Sequence, residues 1–421
     1  MLCQFRVKNF MSYRDDAVLD MEAAGIEEFS DTLLPPPCDK FRPVVPLAAI
    51  FGPNAGGKSN AVNALAYLVS RVVVPVVRST GEGRFFGMVL KNYSPFLLDE
   101  ASRSQPTEFE LVFHAKHAQY HYCLSLFNSA VERESLYYIK TPCERRRSVK
   151  LFERSRDGGI ELGAALKKAN TDKVSPTIPY LSFLAISGAF PEIDEVMDWF
   201  QSCYIQNFAV LDSDHQVSEL LEEPKLKPLF LGFLGAMGIP ISDYTVRNAK
   251  DNVKSGEETA LEVSTTHTVN GTSYSLDLGA ESEGTIKILS ALPGIVLSLL
   301  TGGLVLFDEF DAKLHPSLLR FLIGLYADPK INTNHAQLIF TCHDISIMRN
   351  DCLRRDEIWF AALNRDSASE LWNLYFDILD EQGNHVNKNA AYDRQYLMGR
   401  YGADPYLKRM TEWGDNHAAE T

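Results

Sequence analysis

The chain has 421 residues, of which 45% are hydrophobic and 23% are charged, and its formal net charge is -14 at pH 7. This composition is typical of a globular protein with two or three packed units, and the acidic charge excludes one that coats nucleic acid over its whole surface. The longest apolar runs, such as residues 295–300, are much shorter than the roughly 20 residues that span a membrane, and the first residues lack the apolar core of a secretory signal. We therefore expect a cytoplasmic protein without a membrane segment.

The first predicted elements are two short strands, a buried strand and a helix. Alternating apolar residues within 2–10, followed by Val18 and Leu19 after a polar turn, predict an opening antiparallel pair. Residues 46–51 form a continuous apolar run, which is typical of a strand buried on both faces. Over residues 59–77 the apolar spacing becomes helical.

A glycine-rich loop joins the buried strand to this helix. Residues 52–59 match the phosphate-binding pattern G-x-x-x-x-G-K-[ST] at every fixed position. Glycines allow the backbone to curl around phosphate oxygens with its N–H groups pointing inward. Lys58 is expected to reach the β and γ phosphates of ATP, and the Ser59 hydroxyl to bind Mg²⁺. The predicted ATP-binding residues of this loop are Asn54, Ala55, Gly56, Gly57, Lys58, Ser59 and Asn60.

The middle of the chain combines strands, a basic stretch and helices. Three strand-like runs within residues 107–139 predict an antiparallel meander; its histidines, His114, His117 and His121, span a predicted hairpin turn, so we expect no metal site there. Residues 140–175 contain ten basic and five acidic residues. This stretch is either a contact surface for nucleic acid or an acidic partner, or simply a solvated surface. Residues 176–240 have helical spacing and predict a helical insertion.

Two later apolar strands end in residues suited to phosphate chemistry. Residues 304–307 are followed by Asp308 and Glu309, and residues 338–343 (LIFTCH) form another apolar strand that ends in His343. In a parallel sheet all three side chains would lie at the edge that also carries the phosphate loop. Asp308 is expected to hold Mg²⁺, directly or through water. Glu309 suits a general base that polarises the attacking water, and His343 can sense the γ-phosphate.

Several motifs carry a resemblance to a known group of ATPases. The sequence ESEGT at residues 281–285 precedes a predicted helix and resembles the ABC signature motif in the variant form of SMC-like, RecF-like and OLD-like ATPases. The stretches DEFDAKLHP from Asp308 and TCHD from Thr341 resemble the same group. With VKNFMSY at residues 7–13 and YLMGRYGADP at residues 396–405, the chain resembles the RloA-like, PtuA-like and AriA-like ATPases of bacterial anti-phage and abortive-infection systems.

The resemblance implies an α/β fold and a division of the chain. The fold would be an ABC ATPase head with a mixed β-sheet core, an antiparallel β subdomain and a mainly helical insertion. Residues 1–140 would form the first lobe with the phosphate loop and the meander. Residues 141–240 would form a basic and then helical arm, and residues 241–421 the second lobe.

The resemblance also implies how the site is assembled. Ser282 and Gly284 would contact the γ-phosphate of ATP bound to a second copy, giving a nucleotide-sandwich dimer or a larger homo-oligomer. The segment 311–315 would follow the seam of this dimer. The Gln that usually binds Mg²⁺ between the lobes is not evident, since residues 92–96 (NYSPF) occupy the expected region.

Two functions follow as expectations. The first is a slow, regulatory ATPase that acts as sensor and scaffold of an anti-phage system and controls a separate effector protein, a nuclease or a toxin. The alternative is a RecF-like or SMC-like ATPase that clamps DNA during repair. A transporter ATPase is disfavoured by the long interval between Lys58 and Asp308 and by the missing Gln.

Overall fold

The strands of the protein form three sheets in the residues that the structure describes. The structure is a computed structural model, and it describes residues 1–81, 86–87, 94–141, 146–172, 174–207, 220–248 and 261–403.

The first sheet is antiparallel throughout and contains seven strands among the described residues. Their spatial order is β2 (Ala17–Asp20), β1 (Leu2–Lys8), β5 (Thr107–Ala115), β6 (Ala118–Phe127), β7 (Ala130–Lys140), β8 (Val149–Ser155) and β9 (Gly159–Leu162). Buried and half-buried residues alternate along β5 and β6, as expected for a sheet with one face on the core. This sheet contains the predicted opening pair and the predicted meander.

The second sheet is parallel except for one antiparallel edge strand. Its order is β17 (Ser369–Asn373), β16 (Ile358–Leu363), β3 (Leu47–Phe51), β15 (Gln337–Thr341), β14 (Leu304–Asp308), β10 (Tyr204–Asn207) and β4 (Phe86–Gly87). Every residue of β3, β14 and β15 is buried, because this sheet is covered on both faces. A third, three-stranded sheet consists of β11 (Asp243–Asn248), β12 (Leu261–Val269) and β13 (Thr272–Asp277).

Helices fill the layers on either side of the parallel sheet. The described helices are α1 (Lys58–Thr80), α2 (Glu100–Arg103), α3 (Tyr180–Ser187), α4 (Pro191–Gln201), α5 (Lys227–Ala236), α6 (Glu283–Thr301), α7 (Pro316–Ala327) and α8 (Tyr392–Leu397). Helices α1, α3 and α4 share one hydrophobic core with the antiparallel sheet, whereas α5, α6, α7 and α8 pack in a second core on the opposite face.

The parallel sheet contributes alternate residues to these two cores. Ala48 and Ile50 of β3 point into the first core, and Leu47, Ala49 and Phe51 into the second. Buried Gln337 joins the two large sheets: its side chain accepts a hydrogen bond from the backbone N–H of Leu2 at 2.5 Å and donates to the Leu2 carbonyl at 3.0 Å. The predicted α/β class, with a mixed sheet and an antiparallel subdomain, is confirmed.

The predicted arm, residues 141–240, contributes to both large sheets as well as to the helical layers. Strands β8 and β9 extend the antiparallel sheet beyond β7, and β10 pairs with β14 in the parallel sheet. The helical reading of residues 176–240 missed β10, which is only four residues long. The division into two lobes and an arm stays a prediction.

Helices α1 and α6 are relevant to the prediction that the chain has no membrane segment. By length and composition α1 and α6 are apolar enough to cross a bilayer. Both are mostly buried between protein layers, and core helices of this kind have the same composition.

Candidate active site

Three neighbouring strands bring the predicted phosphate-binding residues to one edge of the parallel sheet. Strand β15 lies between β3 and β14, and all three run in the same direction. The loop of residues 52–57 follows β3, Asp308 ends β14, and His343 comes two residues after β15. The structure therefore places the predicted catalytic and binding groups together, as the strand pattern indicated.

The glycines of the loop allow it to pack closely on the neighbouring strand. Gly52 and Gly57 have φ angles of +148° and +105°, which favour glycine. A Cβ atom on Gly52 would lie 2.0 Å from the carbonyl oxygen of Ala361 in β16, and one on Gly56 would lie 2.5 Å from the same atom. Helix α1 begins at Lys58 without a side-chain cap. Its first N–H groups are therefore suited to an anion.

Lys58 is held at the centre of this loop. Its side-chain ammonium donates to the carbonyl oxygens of Gly52 at 2.8 Å and Pro53 at 3.0 Å. Burial lowers the pKa of Lys58, and the nearby carboxylates of Asp308, Asp311 and Glu309 oppose that effect. The cation of the loop and the acidic end of β14 thus belong to one electrostatic site.

Among the described residues, one hydrogen bond to each oxygen fixes the carboxylate of Asp308. The Thr341 hydroxyl donates to Oδ1 at 2.7 Å, and the Asn207 amide donates to Oδ2 at 3.0 Å. Asp308 is 4% exposed, so this orientation is held within the protein. Each oxygen keeps a further lone pair, and carboxylate oxygens are ligands that Mg²⁺ prefers. The residues present therefore fit a magnesium ion.

Glu309 has an unusual backbone conformation. Its φ angle is +52°, in the left-handed region that a glutamate seldom adopts. Its backbone N–H donates to the Thr341 hydroxyl at 2.7 Å, so one side chain orients both acidic residues. Strain held in this way is common at functional sites, where the surrounding structure fixes a side chain in a required direction.

The turn after β14 is also connected to His343. The carboxylate of Asp311 accepts from the backbone N–H groups of His343 at 3.0 Å and Asp344 at 2.9 Å. The side chain of His343 is exposed at this edge. It is therefore accessible to a bound phosphate or to water.

The predicted signature residues lie at the start of α6. Ser282 caps the helix by accepting from the Thr285 backbone N–H at 3.1 Å, and it is exposed. Gly284 lies so close to the segment 311–315 that a Cβ would be 3.1 Å from the Lys313 carbonyl oxygen. The helix start expected from the sequence is therefore present, and it packs against the segment that was expected to follow the dimer seam.

Asn60 differs from the other residues of the predicted set. Its side-chain amide donates to the Ser12 hydroxyl at 2.7 Å, and Ser369 donates to the same oxygen at 2.8 Å. The Tyr13 hydroxyl donates to the Gly57 carbonyl at 3.2 Å. The Asn60 side chain thus supports the loop from the turn after β1.

An amide group lies beside the acidic strand end at a position that the sequence pattern did not indicate. Residues 92–93 lie outside the described residues, and Phe96 is buried with its N–H donating to Asn9. The amide that contacts Asp308 is Asn207, at the end of β10 and directly after Gln206. The aromatic and β-branched pair Tyr204 and Ile205 was the one signal in the sequence that could have indicated β10.

Acidic partners offset part of the basic stretch of residues 140–175. Lys150 forms ion pairs with Glu153 and Glu161 at 3.1 and 2.7 Å, and Arg156 pairs with Glu132 at 3.4 Å. Arg154 pairs with buried Glu134 at 3.8 Å. Arg145 and Lys173 of this stretch also lie outside the described residues, as do residues 404–405 of the C-terminal motif.

Comparisons with known proteins identify one family. The sequence profile of the family described as "AAA domain, putative AbiEii toxin, Type IV TA system" matches residues 47–349. No curated protein matches the chain. Among solved structures, "SMC head domain from Thermotoga maritima" is similar at 15% identity, with a TM-score of 0.39, over 88% of this chain and 98% of that chain. A second solved structure, "Crystal structure of the SmcHead bound to the C-winged helix domain of ScpA", is similar at 14% identity, with a TM-score of 0.39, over 89% of this chain and 98% of that chain.

Proposed function

Since the chain belongs to this family of AAA domains, we propose that it is an ATPase that binds ATP with Mg²⁺ at residues 52–59 and hydrolyses it. The observation that carries the proposal is the meeting of Lys58, Asp308 and Glu309 at one edge of the parallel sheet. Family membership supports a nucleotide-binding domain, and the arrangement of these side chains supports hydrolysis.

Each group at the edge has a separate task in this proposal. The uncapped N-terminus of α1 and the ammonium of Lys58 bind the phosphates. Ser59 and Asp308 hold Mg²⁺, which neutralises charge on the phosphate oxygens when bound. Glu309 orients and polarises the attacking water as general base, and His343 senses the γ-phosphate from the exposed end of β15.

Hydrolysis is tested with variants that keep the fold. Glu309→Gln preserves the shape of the side chain and removes the base, so we expect phosphate release to fall by about 100-fold or more while ATP still binds. Glu381→Gln, at an exposed turn, is the matched control and retains full activity. Wild-type activity in Glu309→Gln would contradict the role of Glu309. Retained ATP binding in Lys58→Ala would contradict the role of the loop.

The proposed active form is a dimer with ATP between two copies. Exposed Ser282 at the N-terminus of α6 supports it, because a hydroxyl and free N–H groups at a helix start favour an anion. Glu309→Gln is expected to accumulate this dimer with ATP, measured by light scattering after size-exclusion chromatography. A protein that stays monomeric with ATP would contradict the sandwich, and larger assemblies remain compatible with it.

The proposed biological role is a cytoplasmic sensor and scaffold of an anti-phage system that controls a separate nuclease or toxin. The family description names a putative toxin of a type IV toxin–antitoxin system, which supports a role in a toxin-based system; the separate effector is part of the proposal. Expressed with the neighbouring genes, the wild type is expected to reduce phage plating and Lys58→Ala is not.

The alternative DNA-clamping role needs a basic surface, but ion pairs already offset Lys150, Arg154 and Arg156. Hydrolysis stimulated by DNA would favour that alternative.

A further inference from the structure

Three side chains of metal-binding types meet on the solvent-facing side of the antiparallel sheet. Glu110 of β5 is directly opposite Cys123 of β6, and His121 lies two residues before Cys123 on the same face. Nε2 of His121 is 2.7 Å from Oε1 of Glu110 and 3.4 Å from Sγ of Cys123. The three ligand atoms all lie within 4.8 Å of one another. One ion could therefore contact all three.

The spacing is close to that of a tetrahedral zinc site. With zinc bonds of about 2.0–2.2 Å to nitrogen and oxygen and 2.3 Å to sulfur, ligand atoms on one ion stand about 3.4–3.6 Å apart. The distance from His121 to Cys123 already has this value. The distance from Oε1 of Glu110 to Nε2 of His121 must open by about 0.7 Å, and the distance from Glu110 to Cys123, which is at most 4.8 Å, must close by up to about 1.2 Å. All three residues are half-buried, so small rotations of their side chains can supply this change.

The surrounding charges favour a cation at this position. Arg6 contacts Glu110 at 2.8 Å and Glu108 at 3.6 Å, and it also pairs with Asp16. His121 is a second cation here, because its contacts with Cys123 and Glu110 raise its pKa to about 10. Among the described residues, two cations thus face the three carboxylates, and the net charge stays negative. Arg6 binds Oε2 of Glu110, so Oε1 remains turned toward His121. A second residue that orients a ligand in this way is usual around protein-bound metals.

We propose that Glu110, His121 and Cys123 form a binding site for Zn²⁺, separate from the Mg²⁺ site at Asp308. A thiolate and an imidazole select zinc over magnesium, which prefers oxygen ligands. Three protein ligands leave a fourth position open. Cys123 and Arg6 also line a groove of about 880 Å³, from which water or a further ligand can reach the ion.

The site is tested by zinc titration of the metal-free, full-length protein in a calorimeter. The wild type is expected to bind one equivalent of Zn²⁺. His121→Asn and Cys123→Ser are each expected to bind zinc at least about tenfold more weakly than the wild type. His117→Asn is the matched control, because His117 lies on the adjoining β5–β6 turn and outside the cluster. It is expected to bind zinc as the wild type does. Excess Mg²⁺ should not displace the zinc.

A spectroscopic measurement adds a second readout, which reports directly on the thiolate ligand. Co²⁺ in place of zinc is expected to give a thiolate charge-transfer band that is absent from Cys123→Ser. The proposal is overturned if the wild type binds no zinc, or if His121→Asn and Cys123→Ser bind it as tightly as the wild type. A cobalt band that persists without Cys123 would also overturn it.

Discussion

Thr341→Val removes the hydroxyl that connects the two acidic residues of the site. In the wild type this buried hydroxyl donates to Asp308 at 2.7 Å and accepts from the Glu309 N–H at 2.7 Å. A hydrogen bond to a charged group contributes about 1.5–3 kcal/mol and a neutral one about 1 kcal/mol. Valine fills nearly the same volume, so the free energy of unfolding should fall by roughly 2–4 kcal/mol. If half of this loss, about 1–2 kcal/mol, reaches the transition state, kcat falls by about 5–30-fold.

The assay combines phosphate release at saturating ATP with denaturant unfolding of the same samples. Thr341→Ser is the matched control, because it keeps the hydroxyl and loses one methyl group, which costs about 1 kcal/mol of stability. It should retain kcat within a few-fold. The reasoning is refuted if Thr341→Val has the kcat of the wild type, or if Thr341→Ser is impaired as strongly as Thr341→Val.

Three further outcomes are expected. Gly52→Ala should lower the free energy of unfolding by several kcal/mol and abolish ATP binding, because its Cβ would lie 2.0 Å from the Ala361 carbonyl oxygen. The control is Gly232→Ala in α5, where a Cβ meets open space. It should be neutral or stabilising in the same denaturation assay. Gln337→Leu leaves the Leu2 backbone groups unpaired and should cost roughly 2–4 kcal/mol, so a loss below about 1 kcal/mol would be contrary to the account. Burial raises the pKa of Glu357 to about 8. The folded state therefore holds a proton that the unfolded state loses near pH 4.5, and stability should decline as the pH rises from about 5 to 8, with a flatter profile in Glu357→Gln.

Much of the candidate site could be predicted because its signals are local in the sequence. The loop containing Lys58 is a contiguous motif between a buried strand and a helix, and Asp308 directly ends an apolar strand. A parallel sheet brings such strand ends to one edge whatever the order of its strands. The positions of Lys58, Asp308 and His343 at that edge follow from these patterns alone.

The residues that sequence reasoning missed depend on pairing between distant strands. Thr341 contacts Asp308 only because β15 lies beside β14 in the sheet. Asn207 contacts Asp308 only because β10 pairs with the opposite edge of β14. The strand β10 is too short to change the helical pattern around it. The spacing of the meander histidines along the chain predicts no metal site. His121 meets Glu110 and Cys123 only because β5 and β6 pair in a particular register.

A mixing experiment tests most directly whether two copies complete each ATP site. Lys58→Ala disables the phosphate loop, and Ser282→Asp keeps the helix cap but repels a phosphate on a second copy. Each variant alone should be inactive. In a 1:1 mixture half of the dimers contain both variants, and one of the two sites in each is intact, so about a quarter of the wild-type ATPase rate should return. A mixture as inactive as the separate variants would contradict the account.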